Sequence, residues 1–581
     1  MSTNTNTNTN TNTNALLEHA TLSFHNNIPK SEDNDVHIFG MIELKAATLN
    51  RILVNNLELY LNIDISGSMD DLCKDKRSKM FHIRNIIQNL LKQLYKLKET
   101  NIAVIVKGFE SIIHDILDIE NIISLSDENF HDEVITKIGH LFPLNLTNIE
   151  AALKVAAIHM DQAQNQAQAQ AAAVDQAQAQ AAAVAVDQAQ AVVKETKKLH
   201  ILLTDGNATE GRSDPVYLKT LMPSKCANII LGLGTDYDAR ALRIISDNNF
   251  KHINEAETAG FCVGEIIHAF VYEALKDVVI SVTNGVIFNY KTNTWSSELC
   301  VASIASEQTK NYSIMSATPD SVIVKIRCTS NGFPFEHIIS ENIKTDLTMY
   351  HFRQEVMELL YKASEVEQYI EKNRGNYMRD LNILINNLKD DSDDLDDIYR
   401  TKEEIEYKEK SNLDVTKAKR QNIKRQMKQQ LIRILRYMEQ NNLNDDPFYI
   451  TLCMDIKVAF ESIGKRNADV YISSRITSQG HQESYTCDTI DNEEVEEENY
   501  KEEENYKDEE VEEENYKVEE VEENDNEEQE SDINDAELLS KFNLSIRQTM
   551  NSPYSTPRQV SLMRGVSSMS DNEEDKEEED E

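Results

Sequence analysis

The segment Leu57–Ile65 (LELYLNIDI) constrains this chain more than any other. It reads as a continuous apolar strand, as expected where both faces of a sheet are covered. Helices later in the chain supply the cover. Residues 79–97 carry Met80, Ile83, Ile86, Ile87, Leu90, Leu91 and Leu94 at spacings of three and four, the stripe of an amphipathic helix. Strand-like runs at 101–109, 198–205, 226–234 and 251–256 alternate with helical patterns at 148–160, 238–249 and 259–276. Strands separated by helices form parallel sheets with helices on both faces, so the expected class is α/β, a doubly wound, mostly parallel, Rossmann-like sheet over residues 57–276.

The flanks read differently. Residues 1–14 are a Thr/Asn tract that buries nothing. Residues 15–56 contain β-type runs (ATLSF and VHIFGMIELKA), and residues 277–345 contain several more with no helix between them. Antiparallel pairing is expected for these, and the two flanks together are read as one β-sandwich with the α/β unit inserted. Residues 161–192, an Ala/Gln-rich repeat, read as an exposed insertion that extends the preceding helix. Residues 346–485 form a helical region of three or four helices, broken near 390–397 and 441–447.

Residues 486–581 are acidic and of low complexity, and a disordered tail is expected. Asp491–Glu530 and Asp571–Glu581 together hold 32 acidic and 4 basic side chains, which accounts for most of the net charge of -42. Such a surface repels phosphate, so nucleic acid and anionic membranes are excluded as partners, and a basic partner for the tail is the alternative. Its carboxylates could also block a metal site in cis. The 7 cysteines are odd in number and never at C-x-x-C spacing, which reads as reduced thiols and does not point to zinc. The chain shows no signal peptide and no apolar run of membrane-spanning length, so an intracellular, cytoplasmic location is expected.

The chemistry sits in LNIDISGSMDD. Asp64, Ser66 and Ser68 follow the apolar strand, and Gly67 is read as permitting a tight turn there. Alternating carboxylate and hydroxyl groups on a strand-end loop aim oxygens at one spot, which suits a hard cation such as Mg²⁺. Two more oxygens fall at corresponding places: Thr147 at a helix start and Asp205 at a strand end. Read separately, Thr147 is equally an N-cap and Asp205 the first residue of a D-G turn. In a doubly wound sheet all three loops lie at the carboxyl edge, where ligands bind.

Asp64, Ser66, Ser68, Thr147 and Asp205 match all five positions of a known pattern, and here the sequence resembles the von Willebrand factor type A (vWA) family with its metal-ion-dependent adhesion site. VHIFGMIELKA before the unit and YISSRITSQGHQES (471–484) after it are similar to a subgroup with a flanking β-sandwich and a helical C-terminal region. Some plant members of that subgroup carry a zinc-binding RING-type finger, for which this chain has no cysteine cluster. Leu146 stands where the family usually has a glycine before the Thr.

The resemblance implies that Ser66 and Ser68 ligate Mg²⁺ (or Mn²⁺ or Ca²⁺) directly, Thr147 in one state, and Asp64 and Asp205 directly or through water. It implies an open position filled by an Asp or Glu carboxylate of a protein partner. The expected function is therefore metal-dependent protein recognition in a scaffold or assembly role, and not an enzyme. A vWA unit without metal dependence and a metal-assisted hydrolase are the alternatives. His131, His140 and His200 would be the histidines to examine for the last.

Overall fold

The computed structural model describes residues 16–26, 37–49, 52, 56–97, 100–144, 146–161, 196–247, 249–330, 332–389, 395–465, 468–483 and 553–568, without side chains for 371–414. The Thr/Asn tract, the Ala/Gln-rich insertion and the acidic runs of the tail lie outside them.

Two strands, β1 (Leu17–His25) and β2 (Ile38–Ala46), precede the α/β unit. The unit then runs β3 (Asn56–Asp64), α1 (Lys79–Tyr95), β4 (Asn101–Phe109), β5 (Ile113–Ile119), α2 (Glu128–Gly139) and α3 (149–161). It continues with β6 (Thr196–Thr204), α4 (Pro215–Thr220), β7 (Ala227–Leu233), α5 (Ala239–Ile245), β8 (Phe250–Ile253) and α6 (Ala259–Val271). Sheet order is β5-β4-β3-β6-β7-β8, with β5 alone antiparallel.

The covering of both faces follows from β3 itself. Leu57, Leu59, Leu61 and Ile63 pack one way, against Ile83, Ile87 and Leu90 of α1 and Ile266 and Phe270 of α6. Tyr60 packs the other way, against Ala156 and Met160 of α3. Asn62, on that same face, gives an amide hydrogen to Ala152 O at 3.1 Å and its Nδ2 lies 3.1 Å from His200 Nε2, while its buried Oδ1 has no hydrogen-bond partner. The order in which strands are added reverses between the parallel neighbours β3 and β6, and ligands of doubly wound sheets bind beyond the carboxyl ends at such a switch point. Asp64 ends β3 and Asp205 follows β6.

Eight more strands follow: β9 (Glu273–Thr283), β10 (Val286–Asn289), β11 (Thr294–Ser296), β12 (Glu298–Ala305), β13 (Thr309–Ser316), β14 (Ile323–Ser330), β15 (Phe333–Ile339) and β16 (Ile343–Thr345). They form two sheets, ordered β11-β10-β13-β2-β1-β16 and β12-β9-β14-β15. The expected sandwich built from both flanks is present: β2 lies between β1 and β13, antiparallel to each. Four helices follow, α7 (Thr348–Lys389), α8 (Leu395–Gln440), α9 (Pro447–Ser462) and α10 (Ala468–His481). Phe352, Val356, Leu360, Ile434, Ile456 and Ile472 of these helices share one apolar cluster with Ile42, Ile280 and Val324 of the sandwich. No helix among the described residues is long and apolar enough to cross a membrane.

Three expectations are corrected. The last helix of the α/β unit stops at Val271, and Ala274 and Leu275 instead enter the sandwich core on β9. The second is an omission: strand β5 and helix α2 were not anticipated, although Ile113, Ile116, Leu117 and Ile119 are apolar. The third correction concerns the tail, which is not disordered throughout. Residues 557–567 form α11 (Pro557–Ser567), held by a capping box between Thr556 and Gln559. This helix lies on α6 and α1, with Met563 and Val566 buried. Gly260 and Gly264 make the close approach possible, since a Cβ on Gly264 would come within 2.6 Å of the Met563 Cα.

Candidate metal centre

The loop after β3 turns at once. Ile65 N donates to Phe109 O at 3.0 Å, and Ser66 N donates back to Asp64 Oδ1 at 2.9 Å. Residues Gly67–Asp70 then form a single 3-10 turn. Gly67 is not among the glycines with positive φ, so the expected special turn is a tight helical one that starts from extended Ser66.

The turn puts the two serines side by side. Ser66 Oγ and Ser68 Oγ lie 3.1 Å apart, and Ser68 donates to Asp205 Oδ1 at 2.8 Å. Thr147 arrives from the loop before α3. That loop is stitched to both others: Leu144 N donates to Ile65 O at 2.6 Å, Thr147 N to Thr209 Oγ1 at 2.9 Å, and Thr209 N to Thr147 O at 3.0 Å. Thr147 is not the N-cap of α3. Asn148 serves there, its Oδ1 accepting from Ala151 N at 2.9 Å, and the Thr147 side chain is left for the site. Gly206 marks the meeting point, because a Cβ there would lie 3.6 Å from Thr147 Oγ1 and 3.7 Å from Ser68 Oγ. The five sequence-predicted oxygens are thus brought to one edge of the sheet.

Burial sharpens the electrostatics. Asp64 and Asp205 are both 0% exposed, and Ser66 and Thr147 are nearly so. Burial pushes the Asp64 carboxyl up to about 7, against the hydrogen bond from Thr204 Oγ1 at 2.6 Å, and the Asp205 carboxylate adds to the rise. Two buried carboxylates and three hydroxyls form a hard, oxygen-only donor set, which fits Mg²⁺ or Mn²⁺. Both Asp64 oxygens already accept protein hydrogen bonds, an arrangement suited to contact through water.

One participant was missed by sequence reasoning. Lys79, the first residue of α1, places its ammonium 2.9 Å from Asp205 Oδ2 and 3.2 Å from Asp71 Oδ2. Burial alone disfavours that ammonium. The Asp205 and Asp71 carboxylates together outweigh it and hold the Lys79 pKa above its ordinary value. A lysine at a helix start carries no signal by itself, and only the fold reveals its partner.

Several large apolar side chains stand exposed on the rim of this edge, beside polar ones such as Asp70, Asp71 and Arg212. Leu72 (71% exposed) and Ile112 stand exposed on loops that leave the carboxyl ends of β3 and β4, Leu144 and Leu146 (46% exposed) on the connection between α2 and α3, and Val216 on the first turn of α4. Leu146, at the position where a glycine was expected, belongs to this rim. The three histidines singled out from sequence stand apart. His200 is buried in mid-strand β6 with Asn228 Oδ1 at 3.0 Å, His140 caps α2, and His131 lies on α2 beside Asp132.

No family model matches this chain, and no curated protein matches it. Solved structures do. A von Willebrand factor type A protein from Catenulispora acidiphila is 14% identical, covering 62% of this chain and 83% of its own, with a TM-score of 0.39. The ArnB paralog VWA2 from Sulfolobus acidocaldarius is 12% identical, covering 81% and 100%, with a TM-score of 0.37. Proximal thread matrix protein 1 from the mussel byssus, with a zinc-occupied MIDAS motif, is 12% identical, covering 40% and 50%, with a TM-score of 0.26. Identities of this size leave residue roles to the geometry of the site itself.

Proposed function

We propose that residues 56–271 form a protein-recognition module of the vWA kind that works through one divalent cation. Ser66 and Ser68 hold the ion directly, Thr147 closes on it, and Asp64 and Asp205 balance its charge directly or through water. The bound Mg²⁺ supplies an electrophilic position for the carboxylate of an Asp or Glu on a protein partner. Few charged ligands from the chain itself leave the ion attractive to that incoming anion.

The observation that carries this reading is the chain of contacts Ser66 Oγ–Ser68 Oγ–Asp205 Oδ1, with Thr147 Oγ1 across Gly206. The apolar side chains of the rim support a protein as the partner. Exposed Leu72, Ile112, Leu144 and Leu146 offer area to a folded surface around the central carboxylate. The role is one of scaffolding or assembly, with no catalytic step.

Lys79 favours a second reading. Its ammonium already neutralises Asp205, as would suit a vWA unit that functions without metal. Capture of partners by the full chain in Mg²⁺ and in EDTA, with a Ser66→Ala/Ser68→Ala variant alongside, separates the two. Metal-dependent recognition requires partners that bind wild type only in Mg²⁺ and miss the variant. Equal capture under all conditions favours the metal-independent unit.

A further inference from the structure

A second cluster of donor groups lies just beyond the five-oxygen site, in the excursion between the 3-10 turn and α1. Leu72 and Ser78 pair as an isolated antiparallel bridge, and Cys73 N donates to Arg77 O at 2.8 Å. Lys76, near the tip, takes a φ of 67°. The closed excursion carries Cys73 and Asp75 to His82, in the first turns of α1, and to Glu257, in the short 3-10 turn Ala256–Thr258 that leads into α6. The Lys74–Glu255 ion pair fastens the same two segments.

Cys73, His82 and Glu257 each present one ligand atom, and the three atoms lie within 4.8 Å of one another. Asp75 adjoins them, with Oδ1 3.2 Å from His82 Nε2 and its backbone N–H directed at Glu257 Oε1 at 3.4 Å. The second observation is independent of that proximity: Glu257 Oε2 is buried and has no hydrogen-bond partner. A buried carboxylate oxygen ordinarily has one, so its position calls for an electrophile. His82 is 4% exposed, and its imidazole is held in place by Asp75. Burial, followed by the Glu257 and Asp75 carboxylates, pushes the Cys73 thiol up to about 12.

We propose that Cys73, His82 and Glu257 form a structural zinc site, with Asp75 as its fourth ligand or as the carboxylate that orients the imidazole. A thiolate, an imidazole and carboxylates are the mixed soft and hard set that zinc takes, in contrast to the oxygen-only set of the neighbouring site. On binding, the Cys73 thiol gives its proton to solvent and the thiolate bonds the ion. The three ligands come from three segments, so the ion pins the 71–78 excursion to α1 and to the start of α6. It thereby fixes exposed Leu72 on the rim and the connection between Ser68 and Lys79. The cysteine spacing gave no hint of this, because the other ligands come from α1 and from a turn far along the chain.

Cobalt is the probe that tests it on the full-length protein. Tetrahedral Co²⁺ on a thiolate gives a near-ultraviolet charge-transfer band that an oxygen-only site cannot produce. The expected result is one thiolate-bound Co²⁺ per chain, read from that band, in wild type and in Ser66→Ala/Ser68→Ala alike, with Zn²⁺ displacing it. Cys73→Ser is expected to lose the band while keeping its circular dichroism, and His82→Asn to bind Co²⁺ at least tenfold more weakly. No charge-transfer band in wild type, or a band that survives Cys73→Ser, overturns the proposal. Cobalt uptake without the band, abolished by Ser66→Ala/Ser68→Ala, assigns all metal binding to the five-oxygen site and overturns it equally.

Discussion

At the scale of single residues, five of the six side chains at the candidate metal centre were legible in the sequence, and Lys79 was not. Asp64, Ser66 and Ser68 announce themselves because they cluster in three alternating positions after a buried strand. Asp205, after a strand, and Thr147, before a helix, follow from the rule that ligands of a doubly wound sheet gather at its carboxyl edge. Lys79 lies 126 residues from the carboxylate it meets, and no local pattern encodes that pairing. Its role gives a prediction. In Lys79→Met, Asp205 loses its cation, and an unpaired buried charge costs roughly 3–5 kcal/mol. The apo protein should unfold at a clearly lower temperature, and saturating Mg²⁺ should restore most of the loss. Thermal melts of wild type and variant with and without Mg²⁺ check this. A deficit in the variant that Mg²⁺ leaves unchanged would separate Lys79 from the metal site.

At the scale of elements, α11 is the instructive case. The string Thr556-Pro557-Arg558-Gln559 invites reading as a kinase substrate, yet Thr-Pro-x-Gln is also a helix start, with Pro at the first helical position and Gln closing a capping box. Acidic surroundings obscured it. The docking is specific. Gln559 Nε2 donates to Glu265 Oε1 at 2.8 Å, Tyr554 OH to Gln479 Oε1 at 2.8 Å, and Asn89 Nδ2 to Val566 O at 3.3 Å. Residues 553–568 therefore join the α/β unit, through α11, to the helical region, through Tyr554. Gly264→Leu would drive a side chain into the Met563 backbone, and overpacking of that kind costs about 1–3 kcal/mol. Hydrogen exchange should show amides 557–567 losing most of their protection while β3 and β6 keep theirs. Unchanged protection across α11 would mean that the helix does not sit where the glycines place it.

At the scale of the whole molecule, the insertion of an α/β unit into a sandwich was readable because β-type runs without intervening helices stood on both sides of a βα alternation. The packing of the helical region onto the sandwich was not, since an amphipathic stripe does not name the surface it covers. Burial inside the α/β unit has a pH signature of its own. Burial is the main cause holding His200 at about 4, His252 at about 3 and His268 at about 4, below the usual 6.5. Below pH 6.5 the unfolded chain takes protons that the folded chain refuses. The stability these groups contribute is therefore full above about pH 6.5 and falls as pH drops towards 4. His268 is the most informative of them, because it is 0% exposed and both ring nitrogens lack a hydrogen-bond partner. His268→Leu removes an unsatisfied buried group, so it should match or exceed wild type at pH 7, by about 1 kcal/mol. It should also lose less stability on acidification to pH 5. Denaturant unfolding at the two pH values checks both, and a variant that falls as steeply as wild type would contradict the assignment.

Metal-dependent recognition by this chain requires three loops to meet around one cation. A crystal of the full-length protein soaked in Mn²⁺ and measured for anomalous scattering tests this most directly. The predicted result is a manganese peak at bonding distance from the Ser66 and Ser68 hydroxyls, with Thr147, Asp64 and Asp205 in direct or water-mediated contact. A loaded crystal without density there, or with manganese held only by other groups, would contradict it.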